Sequence, residues 1–131
     1  MTSQAMNSKQ IDRFCASLPA ATRQVQWEGV IVFKVGGKMF CLIAPPDHSI
    51  ARISFKCPAA HYEALSRSDG FRPAPYLARA KWVALDDPAV LSPAELKAYI
   101  RRAHAVIAAA LPRKKQTELG LRALVAAPSG L

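Results

Sequence analysis

The chain has 131 residues, 51% of them apolar, with 18 Lys and Arg against 9 Asp and Glu and a formal net charge of +9. That length and apolar share suit one globular domain with a real core, and no apolar run is long enough to span a bilayer. Three cysteines without a CxxC pair, Cys15, Cys41 and Cys57, favour reduced and mostly buried thiols over a disulfide framework.

Residues 1–6 read as a tail, and MTSQAMNSKQ lacks the charged and then apolar pattern of an export signal, so a cytoplasmic protein is expected. Asn7 or Ser8 can cap a helix whose Ile11, Phe14, Cys15 and Leu18 fall on one face, with Pro19 at its end. From Arg23 the pattern becomes extended: VQW, VIVFKV and KMFCLIA. The joint VGGK is a two-residue hairpin turn in which Gly36 and Gly37 supply positive φ. A simple register there sets Lys34 against Met39 and Phe33 against Phe40.

After the turn-rich APPDHS, IARISFK alternates. Ala51, Ile53 and Phe55 are expected on one face, and Arg52, Ser54 and Lys56 on a wet, basic one. Pro58 opens a short helix to about Ser68, with Tyr62 and Leu65 inward and Gly70 at its termination. In FRPAPYLARAKWV, Pro73 and Pro75 oppose both helix and plain strand, so an irregular connection is expected to straighten only near Lys81. KWVALD is the last strand. Ser92, Pro93 and Glu95 make a capped helix start. The helix that follows carries its core stripe on Leu96, Tyr99, Ile100, Ala103, Val106, Ile107, Ala110 and Leu111, and Lys97, Arg101 and His104 are expected to face away. PRKKQTELGLRALVAAPSGL reads as a basic extension, with a tail from about 119 to 131.

This order of helix, three or four strands, helix, strand and helix predicts an α+β, two-layer domain spanning 1–131, with an antiparallel sheet of about five strands packed on helices. The successive pieces CASLPAAT, VFKVGGKMFCLI, ISFKC, FRPAPYLARAKWVAL and SPAEL resemble the MmcQ/YjbR family over roughly residues 8–118. The resemblance implies a small bacterial cytoplasmic domain, built like type III secretion chaperones and described as a predicted DNA-binding protein with a double-wing motif. The implied wings are the hairpin at Gly36, Gly37 and Lys38 and the loop 71–82. The chain departs from the family pattern at QVQWEGV, residues 24–30, which is less acidic and shortens the connection before the hairpin.

No catalytic constellation stands out. VGGK is too short for a phosphate loop and is better explained as a turn. Cys57 before Pro58, with His61 four residues on, would suit either an activated thiol or a buried cap-position cysteine. Cys57 and His61 offer two metal ligands where three or four are needed, and His48 and His104 lie on separate elements. Asp86 and Asp87 are adjacent and point apart. No enzyme activity, metal or cofactor is expected.

The charge is uneven: residues 72–131 hold ten basic and four acidic groups, and residues 1–71 hold eight and five. Such charge draws polyanions or simply solvates a face. Lys34, Lys38, Arg52, Lys56, Arg72, Arg79 and Lys81 would form a continuous basic patch if their strands are neighbours, with Tyr76 or Trp82 either stacking on a base at its edge or packing in the core. The first expectation is therefore a monomeric, nucleic-acid-binding protein, most simply a DNA-binding one. The alternative is a protein-interaction adaptor that takes a partner peptide on its sheet.

Overall fold

The computed structural model describes residues 5–126. Helix α1 (Ser8–Ala16) precedes strands β1 (Ala21–Gln26), β2 (Val30–Val35), β3 (Lys38–Ile43) and β4 (Ile53–Lys56). Then come α2 (Ala59–Ser66), β5 (Phe71–Pro73), β6 (Trp82–Leu85), α3 (Pro93–Ala109), α4 (Arg113–Glu118) and α5 (Arg122–Ala126). The six strands form one open antiparallel sheet in the order β1-β2-β3-β4-β6-β5. This is the expected α+β arrangement of a sheet packed on helices.

Local signals set the element boundaries. Asn7 caps α1 through a reciprocal bond with Gln10, at 2.9 Å in each direction, and Ser92 and Glu95 do the same for α3 at 3.2 and 2.9 Å. Gly36 and Gly37 turn the β2–β3 hairpin at φ +61° and +83°. Pro73 is tolerated because β5 is the sheet's outer strand, where a missing N–H breaks no internal ladder. The expected irregular connection therefore begins after Pro73, and Phe71–Pro73 joins the sheet.

The helices cover one face. Ile11 and Cys15 of α1, Leu96, Ile100 and Ala103 of α3, and the loop residue Leu121 pack on Phe33, Cys41, Ile53, Phe55, Val83 and Leu85. The described part of the basic extension, 112–126, is folded onto this core. Gln116 on α4 is buried, and its amide nitrogen lies 3.1, 3.2 and 3.0 Å from the carbonyls of Ala108, Ala109 and Leu111, supplying donors that the end of α3 lacks internally. Leu119 and Val125 pack against the same core and Leu121 is fully buried within it. The expected tails, 1–6 and about 119–131, are thus partly overturned: Met6 is buried in the core and Leu119, Leu121 and Val125 pack there because apolar residues in both segments find the helical face, while 1–4 and 127–131 lie outside the described residues.

Three further expectations need correction. Phe33 pairs with Cys41, because a bulge inserts Phe40 into β3. Lys34 still faces Met39, and the Phe33 and Phe40 rings remain neighbours at 6.2 Å between centroids. His104 does not face solvent: it is 2% exposed, bonds through Nε2 to the Pro19 carbonyl at 2.8 Å and meets Phe40 edge-on. Burial lowers its pKa below the usual 6.5, only partly opposed by that bond.

The third correction concerns the face of β4 expected to be wet. Ser54 is fully buried there, because a second apolar cluster of Val30, Val32, Leu42, Ala44, Trp82 and Ala84 lies on the sheet face away from the helices. Ala51 belongs to that cluster and not with Ile53 and Phe55, since the regular strand starts only at Ile53. The loops on either side of the sheet, through Ile50 and Ala51 and through Ala74 and Leu77, cover it.

Candidate nucleic-acid interface

Strand order decides which cations meet. Adjacency of β2, β3, β4 and β6 brings the C-terminal part of β2 (Lys34), the start of β3 (Lys38), the end of β4 (Lys56) and the residues leading into β6 (Arg79 and Lys81) to one end of the sheet. Lys56 Nζ donates to the carbonyl of Ala80, within the 3-10 turn Ala78–Ala80. Lys81 takes a left-handed conformation at φ +66°, and its ammonium lies 5.0 Å from the centre of the Tyr62 ring. None of these five forms an ion pair among the described residues.

Arg52 and Arg72 stand apart from that group. Arg52 enters β4 at its other end, where its guanidinium bonds to Ser8 Oγ at 2.7 Å and to the Ala44 carbonyl at 3.2 Å. Arg72, on the edge strand β5, forms a two-pronged pair with Asp86 at 2.7 and 2.9 Å. The pair lowers the Asp86 pKa, first through the hydrogen bond, and raises that of Arg72. Its charge is thereby largely neutralised at the surface.

The proposed wings differ in character. Gly36 at the hairpin tip sits against Leu111, so that an added Cβ would lie 2.5 Å from Leu111 Cδ1. The hairpin is therefore braced against the segment after α3, and Arg113, Lys114 and Lys115 follow that brace as exposed cations. The sequence marks these three only as part of a basic extension. Their nearness to the hairpin depends on the long-range contact between Gly36 and Leu111.

The two aromatics considered for stacking separate cleanly. Trp82 is 4% exposed and belongs to the second apolar cluster, as a strand-entry aromatic usually does. Tyr76 is 89% exposed. Trp27, read only as part of an extended VQW run, is 52% exposed at the β1–β2 turn. Cys57 is buried, and burial raises its pKa despite the opposing charges of Arg102 and Lys56, which is contrary to what an activated thiol requires.

An open antiparallel sheet with helices on one face and a basic hairpin end defines the class of small α+β domain to which the chain conforms. The YjbR family model matches residues 16–106, more than half of the chain, and the chain belongs to the YjbR family. A solved structure of similar fold is the crystal structure of Deinococcus radiodurans protein DR2400, described as a DUF419 domain. The two are 18% identical, with a TM-score of 0.74, covering 100% of this chain and 99% of that one. At that identity the likeness is one of fold. No curated protein matches the chain.

Proposed function

We propose that the protein is a non-enzymatic nucleic-acid-binding protein, taking DNA as its simplest ligand and gripping phosphates with the hairpin end of the sheet. The observation that carries this reading is the gathering of Lys34, Lys38, Lys56, Arg79 and Lys81, all without carboxylate partners among the described residues. Unpaired cations in a group suit a polyanion, whereas base-specific readout would need further groups. The family's description as predicted DNA-binding agrees with this reading.

The test is fluorescence anisotropy of a labelled duplex and of the matching single strand between roughly 50 and 200 mM salt, the range in which counterion release is visible. About five phosphate contacts give a log-log slope of about −4 to −5 on duplex, and changing both Lys34 and Lys38 to Gln flattens it by about 2. Asp86→Asn releases Arg72 on the edge strand, apart from that group, and should leave the slope unchanged. An unchanged slope in the double variant would remove the hairpin from the site. No binding at the lowest salt would leave the adaptor reading, for which the unpaired outer edge of β1 offers a template for an added strand.

A further inference from the structure

On the sheet face away from the helices lies a small cavity of about 240 Å³. Met39 and Leu42 of β3 form its apolar floor, and the loop residues Trp27, Ile50, Tyr76 and Leu77 its walls. The volume is below the roughly 300–1,000 Å³ of pockets for drug-sized ligands, so the space suits one ring system and no larger body. Trp27 comes from the β1–β2 turn and Tyr76 from the β5–β6 connection, at opposite ends of the sheet.

Both aromatics are held there against ordinary preference. Trp27 has φ +43° and Tyr76 φ +67°, left-handed conformations that bulky residues rarely adopt and that concentrate at binding sites. A buried aromatic would be repaid by packing, but these two leave 52% and 89% of their surface in solvent. His48 ties two of these loops together: its Nδ1 accepts from the Ile50 N–H at 3.1 Å, which leaves Nε2 to donate to the Trp27 carbonyl, also at 3.1 Å.

Cations border this apolar slot. Lys34 is the cross-strand partner of Met39 on the floor. Leu77 on the wall is followed directly by the 3-10 turn that carries Arg79 and takes the bond from Lys56. An apolar slot with exposed aromatic walls beside basic groups is complementary to a ring attached to a phosphate chain.

We propose that this slot takes one unpaired nucleobase of a single strand, stacked on Trp27 or Tyr76, while Lys34, Lys56 and Arg79 hold the neighbouring phosphates. This rests on the nucleic-acid reading and adds to it a preference for bases out of a duplex. A base inside a duplex has both faces stacked on its neighbours and cannot enter so small a space.

The experiment compares an oligothymidylate with an abasic strand of the same length, which carries the same sugar–phosphate backbone and no bases. The base-bearing strand should bind about tenfold more tightly, and Tyr76→Ala or Trp27→Ala should remove about that factor without changing the salt slope. Tyr76→Phe, which keeps the ring, should retain the preference. Both positions are largely exposed, so circular dichroism and the thermal midpoint of each variant provide the folding control. Equal affinity for the two strands, or an unchanged preference in both alanine variants, overturns the slot and leaves the basic surface standing. A base-bearing strand that binds while the abasic one does not would support the slot and remove the phosphate grip. Binding of neither strand, with an aromatic peptide displacing solvent from Trp27 instead, would overturn both in favour of a protein partner.

Discussion

The two faces of the sheet are built to different standards. Under the helices, Phe33, Phe40, Phe55, Leu96 and Ile100 form a closed core, and the polar groups that enter it find partners: His104 on Pro19, Gln116 on the end of α3. Arg102 Nε is the exception on that side. Beneath the loops, the cluster around Leu42 and Ala84 is smaller, encloses a cavity and leaves the Ser54 hydroxyl buried without a partner. Long helices seal apolar surface because their own backbone bonds are satisfied, whereas loops must keep many backbone groups near water. The closed face therefore carries stability, and the open face is free to carry recognition.

The largest expected difference between the faces is the cost of truncation. Ile100→Ala removes a fully buried side chain from the closed core and should destabilise by about 2–5 kcal/mol. Met39→Ala touches a half-buried side chain beside an existing cavity and should cost only about 1 kcal/mol, because solvent already reaches the site. Urea denaturation midpoints at constant slope measure both. Equal losses would mean that the loop-covered face is as tightly packed as the other, and the division of labour would fail.

A smaller effect, confined to a pH window, tests the closed face alone. Burial lowers the His104 pKa below its ordinary 6.5, so the unfolded chain binds a proton there more readily than the native one. Stability is thus full above about pH 6.5 and falls as the pH drops from there toward the depressed native value. In His104→Gln, denaturation midpoints followed from about pH 7 downward through the ordinary histidine range near 6.5 should lose this slope. A slope that persists in the variant would assign it to another group.

The sequence carries these two faces unequally. Asn7, the Gly36–Gly37 turn and the Ser92–Glu95 cap were legible because each acts within a few residues of itself. Alternation in IARISFK correctly marks Ile53 and Phe55 as core, but cannot show that the opposite face is also covered, since the cover comes from distant loops. His104 gives way to a contact with Pro19, 85 residues earlier, that no helical period contains. Lys34, Lys38, Lys56, Arg79 and Lys81 could be picked by residue type, yet their meeting depends on β6 lying beside β4. Arg72 looked equivalent to them until its partner Asp86 was placed across the same edge. Trp27 left one sign, the departure of QVQWEGV from the family pattern, and its exposure follows from the left-handed turn through Trp27, Glu28 and Gly29.

The smallest effect concerns the open face and has an unusual sign. Ser54 is fully exposed to neither water nor a bonding partner: its side chain is buried, and its hydroxyl finds no acceptor or donor. A buried hydroxyl that has given up water without replacement lowers stability, so Ser54→Ala should raise it by up to about 1 kcal/mol, against the usual direction of point changes. Ser54→Val adds volume as well and would distinguish spare space from a merely unpaired group, because overpacking costs about 1–3 kcal/mol in a full core. If Ser54→Ala stabilises the protein and leaves the affinity for the base-bearing strand unchanged, the hydroxyl is a tolerated defect of loop cover. If it destabilises by a similar amount, Ser54 has a partner in solution and this part of the face is sealed as well as the other.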